Sequence, residues 1–324
     1  MTTASRPSIK PLMAISRQGV LIALVLLMVF GGFRYEGFIS EYNIESVLRY
    51  NSMFGLIALG MTFVIITGGI DLSVGSVIAL CSVVAAKLSP EGAFLGLLVP
   101  VLVGALIGCI NGAVITRLQI APFIVTLATL LGARGLALLI SNNQSISVEV
   151  AGSFIQIGQG DFLGFPIPAC IMLLAFVMGG LALTQSRFGR YALSVGDNEE
   201  AARLMGLPVD STKFWVYVLS GSLSGLAGVI LASQFGAGQP TEGVGWELSA
   251  IAAVVVGGTL LTGGVGTVWG TLVGVLLLGM IFNVLNFENG KGFINLSVYW
   301  QSVIRGLFLL LVVILQSRLS RKRV

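Results

Sequence analysis

A short polar segment interrupts the apolar sequence at residues 67–76, and it holds the best candidates for chemistry. It reads TGGIDLSVGS, with a carboxylate at Asp71 and a hydroxyl at Ser73. Adjacent glycines before these side chains suit an uninterrupted apolar helix poorly, so the segment predicts a helix break. Asp71 or Ser73 can cap the helix that follows, which is a purely structural role. Because ionisable residues at membrane depth are often functional, both are also candidates to line or gate a transport path.

Further polar side chains join these candidates. Asn111 and Thr126 lie within apolar runs, where they can line the same path. A second break is predicted at residues 236–245, GAGQPTEGVG, and Glu247 follows it at the start of another apolar run. A carboxylate there can stabilise the helix through its dipole, or it can face the path or a partner.

The sequence excludes several kinds of site. It contains no histidine, which excludes a His general base and any His-ligated metal. The cysteines all fall within apolar runs, which argues against a disulfide framework or a cysteine metal site. An intramembrane aspartyl protease would need paired aspartates within spans, and only Asp71 qualifies. No GxxxxGK[ST] run occurs, so we expect no ATP site, no other cofactor and no catalytic residue in this chain.

The elements that must position these residues follow from composition, which is that of a polytopic membrane protein. Hydrophobic residues are 56% of the 324 residues and charged residues 10%, whereas soluble domains carry about 25% charged residues. The mean hydropathy is +0.97. We predict an all-α fold in which residues 1–324 form one transmembrane domain with about ten transmembrane helices. The predicted spans are Val20–Phe33, Ser52–Thr67, Leu72–Ala86, Phe94–Ile115, Pro122–Ile140, Phe165–Leu183, Phe214–Phe235, Ala250–Leu261, Val268–Leu285 and Val298–Leu315.

The basic residues predict the orientation. With both termini in the cytoplasm, twelve Lys and Arg side chains lie inside, four lie outside and two lie within spans. The inside set is Arg6, Lys10, Arg17, Arg117, Arg187, Arg190, Arg203, Lys213, Arg318, Arg321, Lys322 and Arg323; the outside set is Arg34, Arg49, Lys87 and Lys291; the span set is Arg134 and Arg305. This positive-inside bias supports an even number of spans and explains the basic pI without a nucleic-acid partner.

Glycines recur every four residues in three apolar stretches, as Gly104, Gly108 and Gly112, as Gly221 and Gly225, and as Gly266, Gly270 and Gly274. Stripes of small residues allow helix backbones to approach closely. They serve simple helix packing, or they let helices slide and tilt during transport. The sequence leaves both interpretations open.

The longest polar interruption is residues 187–213, which carry four of the 18 basic and four of the 14 acidic residues. Asn198 is placed to cap a short helix that Gly206 and Pro208 then end. Such an amphipathic helix can seat in a groove of a cytoplasmic partner, or it is a solvated loop helix with no partner. Its acidic first turn and its contact candidates are Glu199, Glu200, Ala201, Ala202, Leu204 and Met205.

Four segments occur in a specific order. They are GMTFVIITGGIDLSVGS at 60–76, PFIVTLA at 122–128 with Arg134 and Gly135 behind it, RFGR at 187–190 through EEAARLMG at 199–206, and ELSAIAAVVVGGT at 247–259. Together they resemble the ribose-type permease family of bacterial ABC importers for monosaccharides, from about Gly60 to the last span. One departure is Ser249, where members commonly have Asp, which puts any role of that carboxylate in doubt here.

The resemblance implies a permease subunit in the bacterial inner membrane that carries a pentose or hexose from periplasm to cytoplasm. Its implied partners are a second permease chain, identical or homologous, a cytoplasmic ABC ATPase that uses ATP, and a periplasmic sugar-binding protein. The ATPase-coupling residues would be Glu199, Glu200, Ala201, Ala202, Arg203 and Gly206. The alternative is a proton-coupled secondary transporter of small polar solutes, for which Asp71 and Glu247 are the plausible relays.

Overall fold

The computed structural model describes residues 10–290 and residues 300, 303, 304, 306, 307 and 310. The long helices are α1 (Lys10–Arg34), α2 (Glu41–Ile66), α3 (Val74–Leu88), α4 (Ala93–Arg117), α5 (Pro122–Ser141), α7 (Ile167–Gln185), α10 (Val209–Phe235) and α12 (Val268–Gly290). The shorter helices are α6 (Gln156–Gln159), α8 (Arg187–Asp197), α9 (Glu199–Leu204) and α11 (Trp246–Val256).

Seven helices in the described part of the chain are long and apolar enough to cross a membrane. The chain is therefore a multi-pass, all-α membrane protein. They are α2, α3 with the turn that follows it, α4, α5, α7, α10 and α12. Each corresponds to a predicted span, and the predicted span Val20–Phe33 falls within α1. The tenth predicted span, Val298–Leu315, and both chain ends lie outside the continuously described range.

The predicted span Ala250–Leu261 is wrong in its extent. Helix α11 has 11 residues, about 16 Å of helix, whereas a bilayer core is about 30 Å thick. The helix ends at Val256, and the glycines that follow explain why. Gly258, Gly263 and Gly264 adopt φ values of 95°, 85° and 72°, a left-handed region that glycine enters without steric cost. The chain therefore turns repeatedly before α12 begins.

Helices α2 and α10 form the centre of the bundle. Their apolar stretches are mostly buried, whereas those of α4 and α5 are mostly exposed on the periphery. Outside the helices, strand β1 (Ile146–Ser147) pairs antiparallel with β4 (Ala237–Gly238), and β2 (Asp161–Phe162) pairs with β3 (Phe165–Pro166). These short strands fasten the loops at one end of the bundle.

The glycine stripes serve close helix packing. A Cβ placed on Gly104 of α4 would collide with the carbonyl oxygen of Gly221 on α10, and the reverse substitution would collide with Gly104. A Cβ on Gly225 would lie 2.7 Å from the carbonyl oxygen of Pro100. In the third stripe, Cβ atoms on Gly270 and Gly274 would strike the backbone at the end of α11. Helices with such contacts lie backbone to backbone.

Replacing Gly104 with leucine should therefore destabilise the bundle by roughly 1–3 kcal/mol, the usual cost of overpacking a well-packed core. Gly132→Leu is the matched control, because nothing lies within 4 Å of a Cβ at that position of α5. Unfolding of both purified variants in detergent, followed by circular dichroism during a denaturant titration, measures the difference. Equal midpoints for the two variants would contradict the packing role.

Candidate functional site

The predicted helix break lies between α2 and α3. Helix α2 ends at Ile66 and α3 begins at Val74. Gly68 turns the chain with φ = 78°, and the Gly69 N–H donates to the carbonyl oxygen of Val64 at 3.0 Å. Thr67, Gly69 and Asp71 in the break are buried, whereas Gly68 is exposed at a cleft. Irregular backbone is tolerated at membrane depth where it is buried in protein or lines a cavity.

Asp71 lies in this break, buried, and hydroxyl groups hold its carboxylate. Oδ1 accepts hydrogen bonds from the Ser73 hydroxyl at 2.6 Å and from the Ser73 N–H at 3.0 Å. Oδ2 accepts from the Ser220 hydroxyl of α10 at 2.8 Å. Ser73 occupies the position before α3, but its side chain makes no capping bond. The carboxylate thus links the break to a different helix instead of capping α3 in the ordinary way.

The hydrogen bonds continue into α4 and α5. The Asn111 amide nitrogen donates to the Ser73 hydroxyl at 3.2 Å, and the Thr129 hydroxyl donates to the Asn111 oxygen at 2.6 Å. The Thr126 hydroxyl lies within hydrogen-bond distance of the Ile70 carbonyl oxygen in the break, at 3.2 Å, and of the Pro122 carbonyl oxygen on its own helix, at 3.0 Å. The structure therefore brings Asp71, Ser73, Asn111 and Thr126 together.

The residues around Asp71 that sequence reasoning missed are Ser220, Thr129 and Tyr217. Tyr217 is buried, and its hydroxyl lacks a hydrogen-bond partner among the described residues. A Cβ on Gly69 would collide with that hydroxyl, so the glycine makes room for it. Serine and threonine are common in apolar helices, and only the packing of α5 and α10 against the break distinguishes these ones.

Glu247 lies beside this network, because its Oε2 atom would be 2.7 Å from a Cβ on Gly75 at the start of α3, but it has no hydrogen bond to the network. Among the hydrogen bonds of the described residues, none joins it to Asp71 or to the partners of Asp71. Glu247 interacts electrostatically with Arg134, whose guanidinium donates to the carbonyl oxygens of Pro240 and Glu242 at 2.5 and 2.7 Å. Glu247 therefore joins the first turn of α11, where a carboxylate suits the helix dipole, to the start of α3.

Removing the Ser220 hydroxyl should cost about 1–3 kcal/mol of unfolding free energy, because a buried carboxylate oxygen loses its donor. The test compares Ser220→Ala with Ser222→Ala on the same helix. Among the described residues, the Ser222 hydroxyl bonds to the Val218 carbonyl one turn earlier. Thermal unfolding of the purified chain in detergent measures both. A loss for Ser222→Ala as large as that for Ser220→Ala would refute a special role for the contact with Asp71.

The predicted short helix of the polar segment is α9, and its ends are as expected. The Asn198 oxygen accepts from the Ala201 N–H at 2.9 Å, which is an N-cap bond. At the other end Gly206 has φ = 76°, and the Leu207 N–H donates to the Ala202 carbonyl at 3.0 Å. A capped, glycine-terminated helix of six residues therefore stands where the sequence predicts one.

Its side chains divide into a fixed face and an exposed face. Leu204 and Met205 are 83% and 70% exposed, so they are free for contact. Ala202 is fully buried in a small cluster with Val195 and Val209. The prediction that Ala202 is available for contact with a partner is therefore wrong. That burial holds α9 against α8 and the start of α10.

Ion pairs reinforce this attachment. Glu199 pairs with Lys213 and, at 3.6 Å, with Arg203. Arg203 also forms a two-pronged pair with Asp210, with hydrogen bonds of 2.8 and 3.1 Å. These bonds raise the pKa of the Arg203 guanidinium above its ordinary value, so it remains charged. Glu200 is exposed on the same helix.

The polar segment touches the end of α2 directly. A Cβ on Gly196 would collide with the carbonyl oxygen of Ile66, and the Gly264 N–H donates to that same oxygen at 2.9 Å. Between the segment and the helix break lies a cleft of about 330 Å³. Residues on its wall include Thr67, Gly69, Asn198, Glu199, Lys213 and Tyr217. The polar segment therefore lies directly against the end of α2, next to the residues around Asp71.

The amino-acid sequence of this chain is similar to those of known transport permeases. A family model described as the permease component of a branched-chain amino acid transport system matches residues 43–313. The ribose import permease protein RbsC of Haemophilus influenzae is 40% identical over 311 residues, covering 94% of each chain. RbsC of Bacillus subtilis is 41% identical over 305 residues, covering 93% of each. The L-arabinose ABC transporter permease protein AraH of Azospirillum brasilense is 38% identical over 312 residues, covering 95% of this chain and 90% of AraH.

No solved structure matches the chain. The matches to the permeases cover almost all of it, including the helix break and the polar segment. They confirm the resemblance read from the four ordered motifs. The chain therefore belongs to the family of ABC-transporter permease components with which it aligns along nearly its whole length.

Proposed function

We propose that this chain is the permease subunit of an ATP-binding cassette importer that carries a monosaccharide, a pentose or a hexose, from periplasm to cytoplasm. The observation that carries the proposal is near-complete similarity to permeases named for ribose and for L-arabinose. The multi-pass helical bundle and its buried polar break are consistent with a transport path.

The proposed assembly lies in the bacterial inner membrane. It has ten spans with both termini in the cytoplasm, and residues 1–324 act as one permease domain. A second permease chain completes the path, a periplasmic sugar-binding protein delivers the ligand, and a cytoplasmic ABC ATPase supplies the energy. ATP belongs to that ATPase, since this sequence has no GxxxxGK[ST] run.

The coupling contact is proposed at α9, within residues 187–213. Leu204 and Met205 project from its last turn into solvent, and paired apolar side chains on a short helix suit a groove in another protein. Glu199, Arg203 and Ala202 hold the helix in place from behind, while Glu200 and Ala201 lie on the remaining surface and Gly206 ends the helix. Docking on the exposed face would therefore push on a segment already fixed to α2.

The path is proposed along the break, where Asp71, Ser73, Asn111 and Thr126 meet. Opening it requires the Asp71–Ser220 bond to part or to find substitutes, since this bond joins the break to α10. Glu247 would lie beside this path, in the first turn of α11 and against the start of α3. A proton-coupled transporter would instead need Asp71 to exchange protons with both sides of the membrane.

Uptake experiments separate the two mechanisms. In intact cells that carry the chain with its native partners, uptake of radiolabelled D-ribose and L-arabinose should persist when an uncoupler collapses the proton gradient and ATP is maintained. Uptake should stop when the ATPase is inactivated. Uptake that follows the proton gradient and ignores the ATPase would establish the secondary-transporter alternative.

A docking variant tests the coupling contact. Leu204→Asp combined with Met205→Asp should reduce the ATPase that copurifies with the tagged chain in detergent at least tenfold, because a charged pair cannot enter an apolar groove. The control is Leu163→Asp, which changes an equally exposed leucine, 89% accessible, in the β2–β3 turn. Mass spectrometry of the retained proteins quantifies recovery. Undiminished recovery of the ATPase by the double variant would remove α9 from the interface.

A further inference from the structure

The chain crosses the bundle between α10 and α12, but the first part of this crossing is not helical. The Gln239 N–H donates to the Ser82 hydroxyl of α3 at 3.1 Å. Gly243 lies against Gly75 at the start of α3, since a Cβ on either glycine would collide with the carbonyl oxygen of the other. Ser82 and Gly75 are seven residues apart, which is about 10 Å of helix. Residues 239–245, called here the turn segment, therefore follow the first half of α3 at membrane depth.

Helix α11 completes the crossing. The ring of Trp246, its first residue, packs 4.3 Å from the ring of Phe54, near the middle of α2. After α11 ends, the Gly264 N–H donates to the carbonyl oxygen of Ile66, the last residue of α2, at 2.9 Å. The turn segment and α11 together cover about 26 Å, close to the thickness of about 30 Å of a bilayer core. The chain therefore passes through the membrane as a half-helix preceded by turns.

Arg134 of α5 supplies hydrogen-bond donors to the turn segment. Backbone carbonyl groups outside regular helix need partners at membrane depth. The Nη1 atom of Arg134 donates to the carbonyl oxygens of Pro240 and Glu242 at 2.5 and 2.7 Å. The guanidinium also interacts electrostatically with the carboxylates of Glu242 and Glu247. Arg134 lies seven residues, about 10 Å, before the end of α5, so its charge holds the turn segment well inside the membrane.

One face of the turn segment is open. Thr241 and Glu242 are exposed, and Val244 is 75% exposed. Arg134 beside them is partly exposed. Ionisable side chains at membrane depth face the bundle interior or a water-filled cavity, because their transfer into hydrocarbon is costly. This face must therefore meet water or another protein, and not lipid.

Two observations favour water. The buried core of a protein–protein interface is depleted of charged residues, whereas this face carries both Arg134 and Glu242. The turn segment also ends at the helix break, because Gly75, which Gly243 contacts, follows Asp71 and Ser73 by only a few positions. A water-filled path along the turn segment would thus continue directly onto the polar residues of the break.

We propose that the turn segment, held in place by Arg134, is the wall of a water-filled path in the half of the membrane that leads to the helix break. Arg134 is a positioning residue, and Thr241, Glu242 and Val244 face the water. The proposal rests on the proposed function and adds the part of the path that precedes Asp71. In the proposed orientation this part opens to the periplasm.

Cysteine accessibility tests the proposal, because a thiol reacts as its thiolate, which forms in water and not in hydrocarbon. Thr241→Cys and Val244→Cys are made separately in a chain whose own cysteines, Cys81, Cys109 and Cys170, are replaced by alanine. Spheroplasts that carry each variant with its native partners are treated from outside with a charged, membrane-impermeant methanethiosulfonate. Labelling of the remaining thiols with a fluorescent maleimide after denaturation gives the rate of reaction.

Leu106→Cys on α4 is the matched control, because that side chain is 60% exposed. It lies at similar depth, between Pro100, which accepts a hydrogen bond from Cys81, and Asn111, which donates to Ser73. Helix α4 has no charged residue before its last one, so its exposed face suits lipid. We expect Thr241→Cys and Val244→Cys to react at least ten times faster than Leu106→Cys.

Uptake of radiolabelled D-ribose and L-arabinose by the same spheroplasts separates this proposal from the proposed function. Rates for Thr241→Cys and Val244→Cys no higher than that for Leu106→Cys overturn the water-filled path, even where ATP-dependent uptake shows that the importer role stands. Thiols that are protected in the membrane and react only after detergent has dissociated the assembly overturn it as well, and assign the face to a protein partner. Fast labelling without uptake of either sugar in the presence of an active ATPase would count against the importer and leave the wall in place.

Discussion

The hydrogen bond between the Asp71 carboxylate and the Ser220 hydroxyl holds together the part of this bundle that departs from regular helix. A carboxylate buried among apolar helices is costly unless donors surround it. The break supplies one donor residue, Ser73, and α10 supplies the other. The position of α10 against the break is therefore set by electrostatics as well as by packing. The glycine contacts between α4 and α10 then fix the depth at which the two helices meet.

The local features of the chain could be predicted from sequence because short-range chemistry determines them. The break after Thr67, the Asn198 cap and the Gly206 helix end each depend on residues within a few positions of one another. The fold class followed from apolar content alone. Asp71, Ser73, Asn111 and Thr126 could be singled out from sequence as polar groups in apolar surroundings, and the structure brings them together.

Other features depend on tertiary structure that no local pattern encodes. Ser220 and Thr129 are unremarkable until α10 and α5 are placed beside the break. Ala202 looked available for contact on a helical surface, but Val195 and Val209 cover it. The apolar run after Ala250 was predicted to be a span, but its glycines turn the chain and α11 ends at Val256.

Helix α2 reaches from the loop after α1 at one end to the polar segment of residues 187–213 at the other. It has 26 residues without a proline, about 39 Å of uninterrupted helix. A rigid rod of this length that pivots at one end by about 5° displaces the opposite end by roughly 3 Å. That displacement exceeds the length of the hydrogen bond between Gly264 and Ile66. A small change in the tilt of α2 is thus large enough to make or break this contact at the other end of the helix, with no relay of side chains between the two ends.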